Sequence, residues 1–268
     1  MDNRPIGIFD SGLGGLTCVK KVMELLPGED IIYFGDTGRV PYGSRSSDTI
    51  VKYTRQDIRF LKTFDIKFII IACGTASSAA LPKIQDEFST EIIGVLNPAC
   101  RAAAKATRNG KIGVIGTAGT VRSGKYAETL QAINPRFQVI SKACPMFVPL
   151  VENGYIQSKV TDLIAGEYLN DLKTQGVDTL ILGCTHYPLL KETIASVMGE
   201  DVTLIDAGAE AAVYAKERLI TNGLTAQAKE GKAQYYVSDA VDGFCDLAQV
   251  FLEQELVGQV HRIEIETY

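Results

Sequence analysis

Eight short, almost wholly apolar runs, each followed by an amphipathic or polar stretch, leave this chain few folds to choose from. The runs are Ile6–Phe9, Ile31–Phe34, Phe68–Ala72, Ile92–Val95, Ile112–Ile115, Phe137–Ile140, Thr179–Leu182 and Thr203–Ile205. Strands that are apolar on both faces must be covered on both, which is the habit of parallel sheets. Between the runs, apolar residues recur at helical spacing. Leu16, Val19, Val22, Met23 and Leu26 share one face, and so do Ile50, Val51, Ile58 and Leu61. The alternation predicts an α/β protein with mainly parallel sheets, whose ligands bind beyond the carboxyl ends of the strands.

Two of those strand ends are echoed. Ile6-Gly7-Ile8-Phe9-Asp10-Ser11-Gly12-Leu13-Gly14 is matched by Ile112-Gly113-Val114-Ile115-Gly116-Thr117-Ala118-Gly119-Thr120. Phe68–Thr75, ending Ala72-Cys73-Gly74-Thr75, is matched by Thr179–His186, ending Gly183-Cys184-Thr185-His186. The order is the same in both halves, at offsets of about 106 and 111 residues. That period is too long for a solenoid and predicts two similar three-layer α/β halves. The second half runs from near Asn97-Pro98 to near Asp206, residues 97–206. The first comprises residues 1–96 and is completed by 207–268, which contains a late strand, Gln234–Val237.

Composition narrows the class. Apolar residues make up 46% and charged residues 22% of 268, as in ordinary globular proteins. With 27 Lys plus Arg against 32 Asp plus Glu, the net charge of −5 gives no attraction for nucleic acid or an anionic membrane. The longest apolar runs are too short to span a bilayer, and Met1–Asp10 lacks the regions of a signal peptide. A cytoplasmic protein is expected. Six cysteines in such a chain are not a disulfide framework, and no Cys or His pair has zinc-ligand spacing.

Position singles out two of the cysteines. Cys73 and Cys184 each close one of the echoed strands. There the N–H groups and dipole of a following helix stabilise an anion, which can lower a thiol pKa below about 8.5. One such cysteine alone is commonly an inert buried thiol. Two in matching positions can oppose each other across a cleft. Disulfide exchange prefers neighbouring thiols, and a Cys–His hydrolase built on Cys184 and His186 would leave Cys73 idle. Two like acid–base groups on opposite faces of one carbon suit inversion, so racemisation or epimerisation is the expected chemistry.

The loops after the strands supply further candidates. Asp10-Ser11-Gly12-Leu13-Gly14-Gly15 fails the GxGxxG pattern, and no GxxxxGK[ST] loop occurs. Its free N–H groups can cradle a carboxylate, while Asp10 and Ser11 would serve equally as helix caps. Gly35–Gly43, reading GDTGRVPYG, has the turn chemistry of a binding loop or of a plain polar connection. His186 and Glu152, the latter expected in a loop after the strand ending at Ile140, can orient a thiol or hold its proton. His261 is assigned no role.

In this order and spacing, IGIFDSGLGGL, GDTGRVPYG, ACGTASS, GVIGTAGTV and GCTHYP resemble the glutamate racemase family over essentially the whole chain. These are cofactor-independent members of the aspartate/glutamate racemase superfamily. The resemblance implies two pseudosymmetric domains with the active site between them, a homodimer, and interconversion of L- and D-glutamate for peptidoglycan. It further implies that Cys73 serves the D-enantiomer and Cys184 the L-enantiomer, assisted by Asp10, Glu152 and His186. Substrate contacts would come from Asp10, Ser11, Tyr42, Gly43, Gly74, Thr75, Thr117, Thr120, Thr185 and His186.

One departure stands out. The family's Ala-Cys-Asn-Thr is here Ala72-Cys73-Gly74-Thr75. A side chain that meets substrate is missing, and one hydrogen bond to a charged group is worth about 1.5–3 kcal/mol. Aspartate or another acidic amino acid as substrate, or a weakly active or non-catalytic ligand-binding protein, are the alternatives this position raises.

Overall fold

Among residues 1–253, 256 and 259–268, which the computed structural model describes, ten strands fall into two all-parallel sheets. In chain order they are β1 (Ile6–Asp10), β2 (Ile31–Gly35), β3 (Phe68–Ile71), β4 (Glu91–Gly94), β5 (Lys111–Gly116), β6 (Gln138–Ala143), β7 (Thr179–Leu182), β8 (Thr203–Asp206), β9 (Ala233–Val237) and β10 (Val260–Arg262). One sheet has the order β10-β9-β2-β1-β3-β4, the other β6-β5-β7-β8.

The first sheet shows why its strands are apolar throughout. Ile6, Ile8, Phe68 and Ile70 pack with Leu16, Val19 and Val22 of the helix Leu16–Leu25 on one face. Phe9, Ile69 and Ile71 pack on the other with Ile50, Ile58 and Leu61 of the helix Ser47–Leu61. Each side chain so buried contributes about 1.5–3 kcal/mol. Every run read as a strand is one. β6 extends past Ile140 because it is an edge strand whose last residues are half-buried and partly polar, so apolarity does not mark its end. β10 was not expected: two of its three residues, His261 and Arg262, are exposed.

The chain crosses between the sheets twice, both times in a helix. Leu96–Ala106 leads from β4 to β5, and Asn97-Pro98 lies in its first turn, where proline's missing N–H costs little. Ala207–Thr221 leads back from β8, its N-terminus capped by Asp206, which accepts from the N–H groups of Gly208 at 2.9 Å and Ala209 at 3.0 Å. The two crossing helices pack against each other, and β9 and β10 then extend the first sheet. No described helix is long and apolar enough to cross a membrane.

In each sheet the strand order reverses direction at one place. β1 lies between β2 and β3, and β5 between β6 and β7. Such reversals open a crevice at the carboxyl ends of the flanking strands. The residues just beyond β3 and β7 are those that include Cys73 and Cys184.

Candidate active site

Both crevices open into one cavity of about 360 Å³. Its wall takes Ser11 and Gly12 after β1, Val40–Ser44 after β2, and Cys73, Gly74 and Thr75 after β3. From the other sheet come Thr117 and Ala118 after β5, Pro145, Val148, Pro149 and Glu152 after β6, and Gly183–His186 after β7.

Cys73 is the N-cap of the helix Gly74–Ala79, and its Sγ lies 3.5 Å from both the Ala76 N–H and Ser11 Oγ. Burial, followed by the nearby Asp10 charge, pushes this thiol up to about 12 despite those hydrogen bonds. The lowering that a helix start can give does not prevail at this thiol. The N–H groups are present, but desolvation of the charged form outweighs them. At neutral pH Cys73 holds its proton.

Cys184 has a different neighbourhood. Its Sγ is 3.9 Å from His186 Nδ1, while His186 Nε2 is 2.9 Å from Glu152 Oε1. Burial alone would lower the His186 imidazolium, but its bonds to Cys184 and Glu152 lift it to about 10. A charged imidazole thus stands beside one thiol and not the other. Glu152 does not lie in a loop as expected: it closes the helix Phe147–Glu152. Pro149 masks that helix in the sequence, yet it sits in the first turn, where proline is tolerated. Phe147 fixes the helix by packing edge-on against Tyr168 and Tyr187, at 5.3 and 5.2 Å between centroids.

Asp10 is buried behind the wall. It accepts from the Gly12 N–H at 3.1 Å and lies 3.4 Å from Thr185 Oγ1, and it does not cap the helix Leu16–Leu25, whose N-cap is Gly15. Burial raises its carboxyl while the charge on His186 works the other way. The neighbouring Gly14 is required by close approach: a Cβ there would stand 2.1 Å from Thr185 Oγ1 and 2.5 Å from His186 Nδ1. Across the cavity, Thr75 Oγ1 is 2.8 Å from Thr117 Oγ1 and 3.3 Å from Thr120 Oγ1, tying the two sheets' loops together.

The Asp/Glu/Hydantoin racemase family matches residues 13–215. A glutamate racemase of Geobacter metallireducens is 46% identical over 98% of this chain and 97% of its own length. One from Thermoanaerobacter pseudethanolicus is 42% identical over the full length of both. The chain belongs to the glutamate racemase family. Among solved members of this family, a glutamate racemase isoform from Bacillus anthracis superposes with a TM-score of 0.95 at 37% identity, covering 98% of each chain. The Francisella tularensis glutamate racemase, solved in complex with D-glutamate, superposes with a TM-score of 0.93 at 38% identity over all of both chains.

Most positions expected from the resemblance to glutamate racemase come together. Ser11, Tyr42, Gly43, Cys73, Gly74, Thr75, Thr117, Glu152, Cys184, Thr185 and His186 all line the cavity. Asp10 and Thr120 stand one layer behind. Tyr42 turns its hydroxyl away, to Asp36 and to Asp57 Oδ2 at 2.9 Å, so it offers the cavity its ring and backbone. Arg39 binds the same two carboxylates, Asp36 at 2.7 Å and Asp57 at 2.9 Å. Neither Asp57, from the helix Ser47–Leu61, nor Phe251, edge-on to His186 at 5.6 Å, was foreseen. Pro145, Val148 and Pro149 were missed too, although they follow a strand end and the carboxyl-end rule points to them.

Proposed function

We propose that this racemase interconverts L- and D-glutamate with Cys73 and Cys184 as its two acid–base groups, in the cytoplasm and as a homodimer, supplying D-glutamate for peptidoglycan. The observation that carries the reading is that both thiols, each at the point where its sheet reverses strand order, line the same cavity. Residues 1–96 with 207–268 form one domain and 97–206 the other. That division is supported by the pairing of β9 with β2.

With L-glutamate, the Cys184 thiolate takes the Cα proton: the C–H bond breaks, an S–H bond forms, and the electron pair moves into the α-carboxylate. The Cys73 thiol then gives its proton to the opposite face, its S–H bond breaking as the new C–H bond forms. Cys73 rests protonated, which suits it to this donor role. Afterwards the two thiols have exchanged states, and D-glutamate is processed by the reverse steps. Acid–base groups placed in this way contribute typically about 10²- to 10⁴-fold each.

The Glu152–His186 pair keeps a proton within reach of Cys184. Ser11, Gly43, Thr75, Thr117 and Thr185 offer hydroxyl and N–H donors to the carboxylates, with Asp10 and Thr120 supporting them from behind. Tyr42 and Gly74 shape the wall.

Circular dichroism assays of L-glutamate, D-glutamate and L-aspartate test this reading. Glutamate should turn over in both directions with kcat/KM above that for aspartate by about tenfold or more, the scale one methylene commands. Cys73→Ala and Cys184→Ala should each abolish racemisation. Full activity in either variant, or a preference for aspartate, contradicts the proposal. Rescue of a bacterial strain that needs external D-glutamate tests the cell-wall role.

A further inference from the structure

Gly74 follows one thiol residue and Gly183 precedes the other, and their backbones meet at the cavity, which both line. A Cβ built on Gly74 would stand 2.2 Å from the Gly183 carbonyl oxygen and 3.2 Å from its carbon. A backbone carbonyl has no flexible end to swing aside. While it keeps this place, position 74 admits no side chain.

The Gly183 N–H is engaged by the Ile115 carbonyl at 2.7 Å, but no donor among the described residues reaches the Gly183 oxygen. Carbonyls in folded proteins nearly always find a donor in protein, water or ligand. The polar side chains lining the cavity are mainly hydroxyls, those of Ser11, Ser44, Thr75, Thr117 and Thr185. Glu152 is the one carboxylate among the lining residues, and His186 holds it. An α-ammonium brings three donors and no acceptor, so it must be met by acceptors.

We infer that the Gly183 carbonyl accepts a hydrogen bond from the substrate's ammonium, and that Gly74 is a specificity-determining residue because its missing side chain gives that carbonyl its place in the cavity. The inference rests on the reading of an amino acid as substrate. It also means that Gly74→Asn does not restore a lost contact: the new side chain displaces the carbonyl that already makes one.

Gly183-Cys184 is the single Gly-Cys pair in the sequence. Protein made with carbonyl-¹³C glycine and ¹⁵N cysteine therefore gives one carbonyl–amide cross-peak. Saturating glutamate should move its carbonyl resonance. Saturating glutarate, which has the same carboxylates and no ammonium, should move it much less. Equal shifts from the two ligands overturn the inference. In Gly74→Ala, KM for glutamate should rise about tenfold, the scale of one lost charged hydrogen bond, while the inhibition constant of glutarate stays nearly unchanged. Weakening of both in proportion, or of neither, overturns it. Glutarate binding reports that the variant is folded, and the labelled wild-type experiment stands without any variant. Wild-type protein that fails to racemise glutamate contradicts the proposed function instead.

Discussion

Glu152 Oε1 lies 2.9 Å from His186 Nε2, so the imidazole that faces Cys184 is held from behind by a carboxylate. The pair makes the two thiols unequal: Cys184 has a charged imidazole within 3.9 Å, while Cys73 has hydrogen-bond contacts only with Ser11 and the Ala76 N–H and feels the Asp10 charge.

Glu152→Gln removes the charge that helps hold the imidazolium, so the His186 pKa should fall from about 10 toward its ordinary 6.5. Because it is raised in the folded state, this group stabilises fully below the unfolded pKa and loses that contribution as pH rises through about 10. Thermal melts of the wild type should therefore decline between about pH 6.5 and 10, and the variant should show a smaller decline. Its kcat should drop by up to about a hundredfold, the low end of the range for acid–base assistance. An unchanged pH profile in the variant would count against the pair's role.

The Tyr42 hydroxyl has one hydrogen and touches two carboxylates, Asp36 and Asp57, so one of those acids must carry a proton. Asp57 is the better candidate. Burial, and then the Asp36 charge, hold its carboxyl well above the usual range. An Asn side chain can donate in its place, so Asp57→Asn should keep its fold and a KM close to that of the wild type. It should also escape the stability loss that a protonated buried acid brings as pH rises above about 3.9, where the unfolded chain ionises. Asp57→Ala should instead cost about 1–3 kcal/mol, the scale for leaving a buried donor such as the Arg39 guanidinium N–H unpaired, and raise KM by loosening the Tyr42-Gly43 wall. Urea denaturation and steady-state kinetics separate the two. Equal damage from Asn and Ala would contradict the shared proton.

Far from the cavity, Lys67 Nζ is fully buried 2.5 Å from Glu29 Oε2. Glu29 also accepts from the Ala226 N–H at 2.8 Å, which ties the C-terminal segment to the first sheet. Lys67→Met leaves a buried carboxylate unpaired and should cost about 3–5 kcal/mol in urea unfolding. Lys67→Met/Glu29→Gln should recover much of that loss, and kcat should not change in either protein. A single variant as stable as the wild type would show that the pair contributes little.

The strands and the place of both thiols were legible because, in a parallel sheet, apolarity runs unbroken up to the residues that line the cavity. Cys73 and Cys184 stand at those ends, and the echo between the halves separates them from the four other cysteines. Glu152 was misplaced because Pro149 hides a helix start. Asp57 could not be foreseen, since only the fold brings the helix Ser47–Leu61 against the Tyr42 loop. The direction of the Cys73 shift was lost for a related reason: a strand end supplies N–H groups locally, but burial depends on both sheets closing over the site. Gly74 looked like a missing hydrogen bond until the Gly183 carbonyl was seen in the space a side chain would fill.

Proton traffic at Cα in D2O tests the two-thiol account most directly. With L-glutamate at low conversion, the D-glutamate formed should carry deuterium at Cα while the remaining L-glutamate keeps its protium, because each face is served by its own thiol. The mirror result should hold for D-glutamate. Deuterium appearing in the unconverted enantiomer as fast as in the product, or product that retains the substrate's own hydrogen, would mean that a single group serves both faces and would contradict the account.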